Sequence, residues 1–494
     1  MALSALLLFV GLVVAYVAHI VWQWRRLAHI PGPFSAGFCK WWTFREAVAL
    51  RLPESYKRLG DQYGSLVRVG PNELITDNPD VLRRTMATKS RYVRGPWHEA
   101  FRMDPAMDNV LTMRDEEAHT ALRNKILPGF SGKENISLES TIETQIAAMV
   151  DLIERKYLST GDEYRPMDLG VKAQYFTLDV ISDLAWGEPM GFLAQDRDVF
   201  NYLKVTTMSI PAMMVLSTYP GLVSLLHTPL LRPLLPRETD TSGFGALIGI
   251  AKKVAASRFE PDAPDHRDML GAFIRNGLTQ AQVSAESLGQ IVAGSDTSAS
   301  TIRAVMLHVL SNPPVYQKLR AEIDAAVPRL GMERRMIKDA EARLLPYLQA
   351  VIREGLRIMP PASAAMFKEV PPEGDTIDGK FIPGGAQIGS NVMAIHRSRE
   401  IYGPDADAFR PERWLEAEGD RLARMVSTVE MNFHYGKYQC PGRGIALMEF
   451  NKLFVELLRR FDFSLVYPAK AANIRNASLW LIDEFWVRIS RREY

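Results

Sequence analysis

Phe433-His434-Tyr435-Gly436-Lys437-Tyr438-Gln439-Cys440-Pro441-Gly442 is the stretch on which the reading of this chain turns. It ends a loop and opens an apolar helical run through Ile445, Ala446, Leu447, Met448, Phe450, Leu453 and Phe454. A cysteine just ahead of a helix gains from the positive end of the helix dipole, which favours the thiolate. Gly436 and Gly442 let the backbone turn tightly and approach a large flat ligand. Pro441 suits the first helical position. One thiolate in a glycine-lined loop can hold a haem iron on one face and leave the other open. A buried free cysteine at a helix start fits the same segment, because unpaired cysteines are among the most buried side chains.

The chain has 494 residues and two cysteines, Cys39 and Cys440. Two cysteines make no disulfide framework and no zinc cluster, and they suit a reducing compartment. Cys39, beside Phe38, Trp41 and Trp42, reads as packing. Hydrophobic residues at 47 % and charged residues at 23 % describe a folded globular body, and a net charge of +2 gives no reason to expect nucleic acid as a partner. No linker, charge block or repeat divides the chain, so one large catalytic domain is expected. In front of it, Leu3 to Trp22 is almost unbroken apolar sequence, about long enough to cross a bilayer. Trp22 and Trp24 suit the interface, and Arg25-Arg26 mark the cytosolic side. A cleaved signal peptide would carry a basic start and a small-residue cleavage site, and neither is evident. The expected layout is a transmembrane anchor at 1–24, a basic and Pro31-Gly32-Pro33 linker at 25–34 and a cytosolic catalytic domain at 35–494. The sequons at Asn135 and Asn476 then carry no glycan.

Alternating residues around Gly70-Pro71-Asn72 predict a hairpin within 65–77. From about Pro79 to Arg357 the pattern is mostly helical. Residues 364–395 turn β-like, with turn signals at Asp378-Gly379 and Pro383-Gly384-Gly385, and strand-like pieces return between Phe463 and Ile489. The fold class is mainly α with small accessory β-sheets. Thr279 with Gln282 predicts a capping box for a long helix that stops at Ser311-Asn312-Pro313. Inside it lies Ala293-Gly294-Ser295-Asp296-Thr297. Small residues at Ala293 and Gly294 let a ligand press against the helix or let its backbone widen. Asp296 and Thr297 put an acid and a hydroxyl beside that spot, able to relay protons or to form an ordinary polar face. Glu354 and Arg357 share a helical face as an ion pair, a spacing that on an exposed helix counts for little.

Taken in order, these segments resemble the cytochrome P-450 superfamily of haem-thiolate monooxygenases over nearly the whole chain. The cysteine motif matches at Phe433, Gly436, Cys440 and Gly442, and the helix motif at Ala293, Gly294, Asp296 and Thr297. The Glu-x-x-Arg motif is complete at Glu354 and Arg357, and Pro411-Glu412-Arg413-Trp414 completes the fourth. The resemblance implies the cytochrome P-450 fold behind one N-terminal transmembrane helix. It implies heme b with Cys440 as the proximal iron ligand, and catalytic roles for Thr297 and Asp296 beside the dioxygen site. Ala293 and Gly294 fall at the substrate pocket, and Glu354, Arg357 and Arg413 form a structural triad. One departure stands out: Tyr438 occupies the place of the family's propionate-binding arginine. Lys437 beside it, and His119, Arg123, Lys368 and His396 elsewhere, are the candidate replacements.

The same variant loop is similar to fungal membrane-bound members such as the pisatin demethylase-like group. That implies oxidation of a hydrophobic small molecule in secondary-metabolite biosynthesis, at the endoplasmic reticulum membrane. Electrons would come from NADPH through a partner reductase, with cytochrome b5 as a second donor and Lys437 and Arg443 on a basic docking face. Substrate contacts are expected from Trp97 to Met113, from Pro361 to Phe367 and around Leu479 to Leu481. A detoxifying or demethylating monooxygenase and a haem-thiolate isomerase or dehydratase are the neighbouring alternatives. A haem carrier without turnover is a further one.

Overall fold

The computed structural model describes residues 2–104, 107–226 and 228–492. Its first element, α1 (Ala2–Arg26), is continuous, ends on Arg25 and Arg26, and exposes its apolar side chains all round, with a mean hydropathy of 2.4 over Ser4–Arg26. The helix runs two residues past the expected anchor boundary before the chain bends at Pro31-Gly32-Pro33. Its end is fastened to the body: Arg26 donates to the Gly384 carbonyl at 2.5 Å, and Arg68 donates to the carbonyls of Gln23 and Trp24.

The predicted hairpin is β1 (Leu66–Arg68) against β2 (Glu73–Thr76), antiparallel in the register Leu66 to Thr76. Next along the chain come β3 (Val93–Arg94), α2 (Glu116–Ile126), α3 (Leu169–Trp186) and α4 (Tyr202–Leu216). Asp115 and Asp168 cap α2 and α3 by accepting from backbone N–H groups of the first turns. The long central helix α5 (Gln280–Leu310) opens on the capping box of Thr279 and Gln282, as the sequence predicts. Beyond it lie α6 (Pro346–Ile358), β4 (Lys368–Glu369), β5 (Gln387–Ser390) and α7 (Arg443–Arg460). The largest sheet has the order β1-β2-β5-β4-β3, with β2 and β5 parallel and the other pairs antiparallel.

The main core is built where α5 crosses α3, α6 and α7, around Phe176, Ile181, Ile302, Val305, Leu356 and Phe454. α5 is buried on almost every side over Ser298 to Leu307, which is why its sequence is apolar and small-residue-rich rather than amphipathic. A second helical span, Val199–Leu216, is also apolar enough to cross a membrane. It lays Tyr202, Thr206 and Ile210 against the body.

Two local expectations are corrected. Cys39 is exposed, with only a weak contact from its Sγ to the Ser35 carbonyl at 3.7 Å, so it packs nothing. Pro441 is not the first residue of α7; the helix begins at Arg443 with Gly442 as its cap. Asn135 and Asn476 are buried, and their amides donate to Leu184 and Glu54, which leaves no room for a glycan.

Candidate functional site

The cysteine loop is closed by the Cys440 N–H, which donates to the Phe433 carbonyl at 2.7 Å. Gly436 has a φ of +55°, and a side chain there would run into the backbone of Met86 and Ala87, so glycine is required. Gly442 has an ordinary φ of −79° and needs no such freedom. Its N–H and that of Arg443 point at the Cys440 sulfur. Burial nonetheless pushes the thiol up, against those N–H groups and the charge of Arg123. The helix-end effect expected from sequence is therefore outweighed by burial. Among the described residues no group of three or more His, Cys, Asp or Glu is placed to hold a metal by itself.

Around Tyr438 the chain collects positive charge. Arg94, Lys368 and Lys437 lie 4.7, 4.7 and 5.1 Å from the centre of its ring. The Tyr438 hydroxyl donates to Glu116, and the His119 ring sits 5.5 Å away with both ring nitrogens buried and unpartnered. Lys437 is turned inward, donating to the carbonyls of Ser90 and Tyr92 and pairing with Glu116 at 2.8 Å. It is therefore not part of an exposed docking face, and Arg443 is occupied by Glu430.

The crowding shows in the titrations. Burial and then Arg94 push Lys368 down to about 7, and burial pushes Arg94 down to about 10. Burial, Arg94, Arg123, Lys437 and Lys368 push His119 down to about 3. His98 and His434 are held down by burial and by Lys368 and Arg94. Four cationic side chains with one bonded carboxylate are a costly arrangement unless an anion completes it. A dianionic ligand fits. Sequence reading found Arg123, Lys368 and His119, but missed Arg94, His98, Glu116 and His434. His396 does not join them: its ring is buried beside Arg357 and Arg397, and its carbonyl accepts from Arg357 at 2.8 Å.

On α5, past its exposed first turn, Ala293 is exposed and Val292, Gly294 and Thr297 are partly accessible. Gly294 does not face a ligand. A side chain there would meet Ile181 of α3 at 2.9 Å, so its smallness serves helix packing. Asp296 is buried and Thr297 donates its hydroxyl to the Ala293 carbonyl at 2.8 Å.

Glu354 receives hydrogen bonds from Arg357, Arg413 and Trp414 at 2.7 to 3.0 Å, and all three charged side chains are fully buried. The remaining guanidinium N–H groups bind carbonyls of His396, Tyr402, Asp405, Ala406 and Ala408. The triad thus pins the irregular segment ahead of the cysteine loop. Asn432 continues the connection by donating to the Leu356 carbonyl of α6.

The family model described as Cytochrome P-450 matches residues 36–482. The chain belongs to the cytochrome P-450 family. It is 41% identical over 478 residues to a protein of Pyricularia oryzae called cytochrome P-450 monooxygenase ABA1, covering 95% of this chain and 93% of that one. It is 38% identical over 471 residues to cytochrome P-450 monooxygenase aba1 of Botryotinia fuckeliana, covering 94% and 92%. A third relative, abl1 of Leptosphaeria maculans, is 36% identical over 464 residues, covering 92% and 81%. This P-450 is a monooxygenase, and membership implies a haem iron held by a cysteine thiolate.

The expected substrate segments of this P-450 do meet. Ala362 bridges to Leu479, and the Val110 N–H donates to Glu286 of α5 at 2.7 Å. Trp97, Ala364, Ala365 and Phe367 line one cavity with Tyr56 and with Met214 of α4. Trp480, in contrast, packs into the main core. Pro105 and Ala106, within the first segment, lie outside the described residues.

Proposed function

We propose that this P-450 inserts one oxygen atom from dioxygen into a hydrophobic small molecule of fungal secondary metabolism. Electrons come from NADPH through a separate membrane-bound reductase, with cytochrome b5 as a second donor. The observation that carries the reading is the placement of one cysteine sulfur, under the N–H groups that open α7, in the same region as Arg94, Arg123, Lys368 and Lys437, which have Glu116 as their one bonded carboxylate. Haem, when bound, supplies the dioxygen chemistry.

The chain's own residues do the rest. Cys440 provides the iron ligand. Arg94, Lys368, Arg123, His98 and His119 hold the propionates, with the Tyr438 ring as the platform between the cations and Glu116 as their counter-charge. Thr297 and Asp296 handle the protons, and the open side of Ala293 leaves space for substrate. The mainly apolar cavity around Trp97, Ala365 and Phe367 suits a hydrophobic molecule. We read the chain as an anchor at 1–24, a linker at 25–34 and a catalytic domain at 35–494, with the body on the cytosolic face of the endoplasmic reticulum membrane. The variant cysteine loop and the fungal relatives support the biosynthetic setting.

The test pairs a spectrum with turnover. The reduced protein should give the red-shifted carbon-monoxide band of haem-thiolate ligation, and Cys440→Ser should lose it. With added reductase and NADPH, extracts of a strain lacking the gene should yield a product heavier by one oxygen atom. A protein that shows the band but makes no oxygenated product from any accumulated intermediate overturns the monooxygenase reading of the site.

A further inference from the structure

The acid of the central helix is engaged away from its neighbouring hydroxyl. Asp296 Oδ1 accepts from Gln174 Nε2 of α3 at 2.9 Å, and Oδ2 accepts from the Tyr202 hydroxyl of α4 at 3.0 Å. The same phenol lies 3.1 Å from Ser295 Oγ. Arg303, further along α5, donates to Gln174 Oε1 at 3.1 Å and to the Gly170 carbonyl at 2.8 Å, and it adds its charge to the Asp296 surroundings. Thr297 is bonded to Ala293 instead. Tyr202 is 1 % exposed and is set by an unusual turn. Phe200 and Asn201 just before it both have left-handed φ, +56° and +53°, a backbone that an aromatic residue adopts only at a cost. Asp198 secures the turn by accepting from the N–H groups of Leu203 and Lys204.

We propose that Tyr202 is a positioning residue for proton delivery: through its hydroxyl, α4 holds the Asp296 carboxylate on the α3 side of α5, and Asp296 serves Thr297 only when that hydrogen bond is given up. The proposal rests on the proton-delivery role given above to Asp296 and Thr297. It adds that the acid is governed from α4, a helix whose other end, at Met214 and just beyond it at Ser217 and Thr218, reaches the cavity lined by Trp97 and Phe367. Asp296 is suited to such control. Burial raises it to about 6, opposed by the Tyr202 hydroxyl, Arg303 and Gln174, so it changes charge near working pH. The groups facing it are Tyr202 from α4 with Asp198 behind, Gln174 from α3 and Arg303 from α5, which in turn faces Asp168 and Asp483. Tyr202→Phe removes a donor to the charged form, so the acid keeps its proton to higher pH.

The test uses the full chain with haem, in bilayer discs. Infrared difference spectra titrate the carboxyl band that Asp296→Asn abolishes. Its midpoint should lie near pH 6 in the parent protein. In Tyr202→Phe it should rise by about half a unit or more, roughly a threefold gain in protonated acid at pH 7. The pH profile of reductase-supported NADPH oxidation should move with the band, in maximal rate and not in the reductase concentration giving half of it. Gln174→Leu removes the donor to the other oxygen and should shift the same band, so the question survives if one variant folds poorly. If Asp296→Asn leaves the NADPH profile unchanged, the proton-delivery reading itself falls. If Asp296→Asn alters the profile but neither Tyr202→Phe nor Gln174→Leu moves band or profile, that reading stands and the role of Tyr202 falls.

Discussion

At the scale of single residues, Lys368 is the side chain whose chemistry most depends on what is bound. It is buried, it donates to the Met366 carbonyl at 3.0 Å, and Arg94 and Lys437 repel its charge. Without an anion, burial and the charge of Arg94 hold it near 7, far below the usual 10.5 of a lysine. A propionate beside it restores the charged form, so loading with haem draws a proton from solvent wherever the free protein has already lost it. The window runs upward from about 7, the folded value, toward 10.5. Haem affinity should therefore fall as pH rises above neutrality, by up to about tenfold per unit for one linked proton. Lys368→Met should bind haem more weakly at neutral pH and with a flatter pH dependence above it. Titrating haem into the stripped protein at several pH values, followed by the Soret band, checks this. An equal slope in both proteins would mean another group takes up the proton. Tyr438, which interrupts the family pattern, thus marks a redistribution: the charge lost at that position is supplied by β3, β4 and α2.

At the scale of elements, the pair α3 and α5 shows how adjacent small residues part ways. Ala293 leaves one side of α5 open, whereas Gly294 lets α3 come close enough for Ile181 to fill the space of a side chain. Gly294→Val should force the helices apart at a cost of roughly 1–3 kcal/mol or somewhat more, read as a lowered thermal midpoint. Ala293→Val should leave the midpoint nearly unchanged but weaken binding of imidazole to the haem iron. Calorimetry and an imidazole spectral titration separate the two.

This distinction was not legible in the sequence, where both residues read as room for a ligand. What was legible were features carried by short spacing: the hairpin at Gly70-Pro71, the capping box of Thr279 and Gln282, and the Glu354 and Arg357 pair. The partners of Asp296 were not, because Gln174 and Tyr202 lie about a hundred residues upstream and carry no local motif. Nor was the cation cluster, gathered from β3, α2, β4 and the cysteine loop. His396 looked like its member by residue type, but the short helix after β5, Val392–His396, buries it beside Arg357 and Arg397.

At the scale of the whole molecule, two arginines join the apolar N-terminal helix to the body: Arg26, through Gly384 and Asn72, and the buried Arg68. Arg68, 3 % exposed, donates to the carbonyls of Gln23 and Trp24 at the end of α1, to Gly37, and to Gly70 and Pro71 of the hairpin turn. Its own N–H donates to the Pro31 carbonyl at 2.8 Å, and a side chain on Gly32 would run into the Arg68 backbone, so the proline bend is laid flat on β1. Trp24 stacks on Phe38 at 5.9 Å, and Phe34, Trp41 and Val48, which follow the bend in the chain, stay exposed. Hydrogen bonds to a charged donor contribute about 1.5–3 kcal/mol each, and buried carbonyls left unpaired cost a comparable amount. Arg68→Met removes several at once and leaves the Arg26 bonds to Gly384 and Asn72, so α1 should become a looser tether instead of a fixed strut. The catalytic body, with its own core around α5 untouched, should fold and bind haem as before. In oriented bilayers the fixed strut predicts a defined angle of the haem plane to the membrane, seen as polarisation dependence of the Soret absorption. Arg68→Met should reduce that dependence while leaving the carbon-monoxide spectrum unaltered. Equal polarisation in the two proteins would assign the orientation to the exposed aromatic residues around Trp41 and not to the joint.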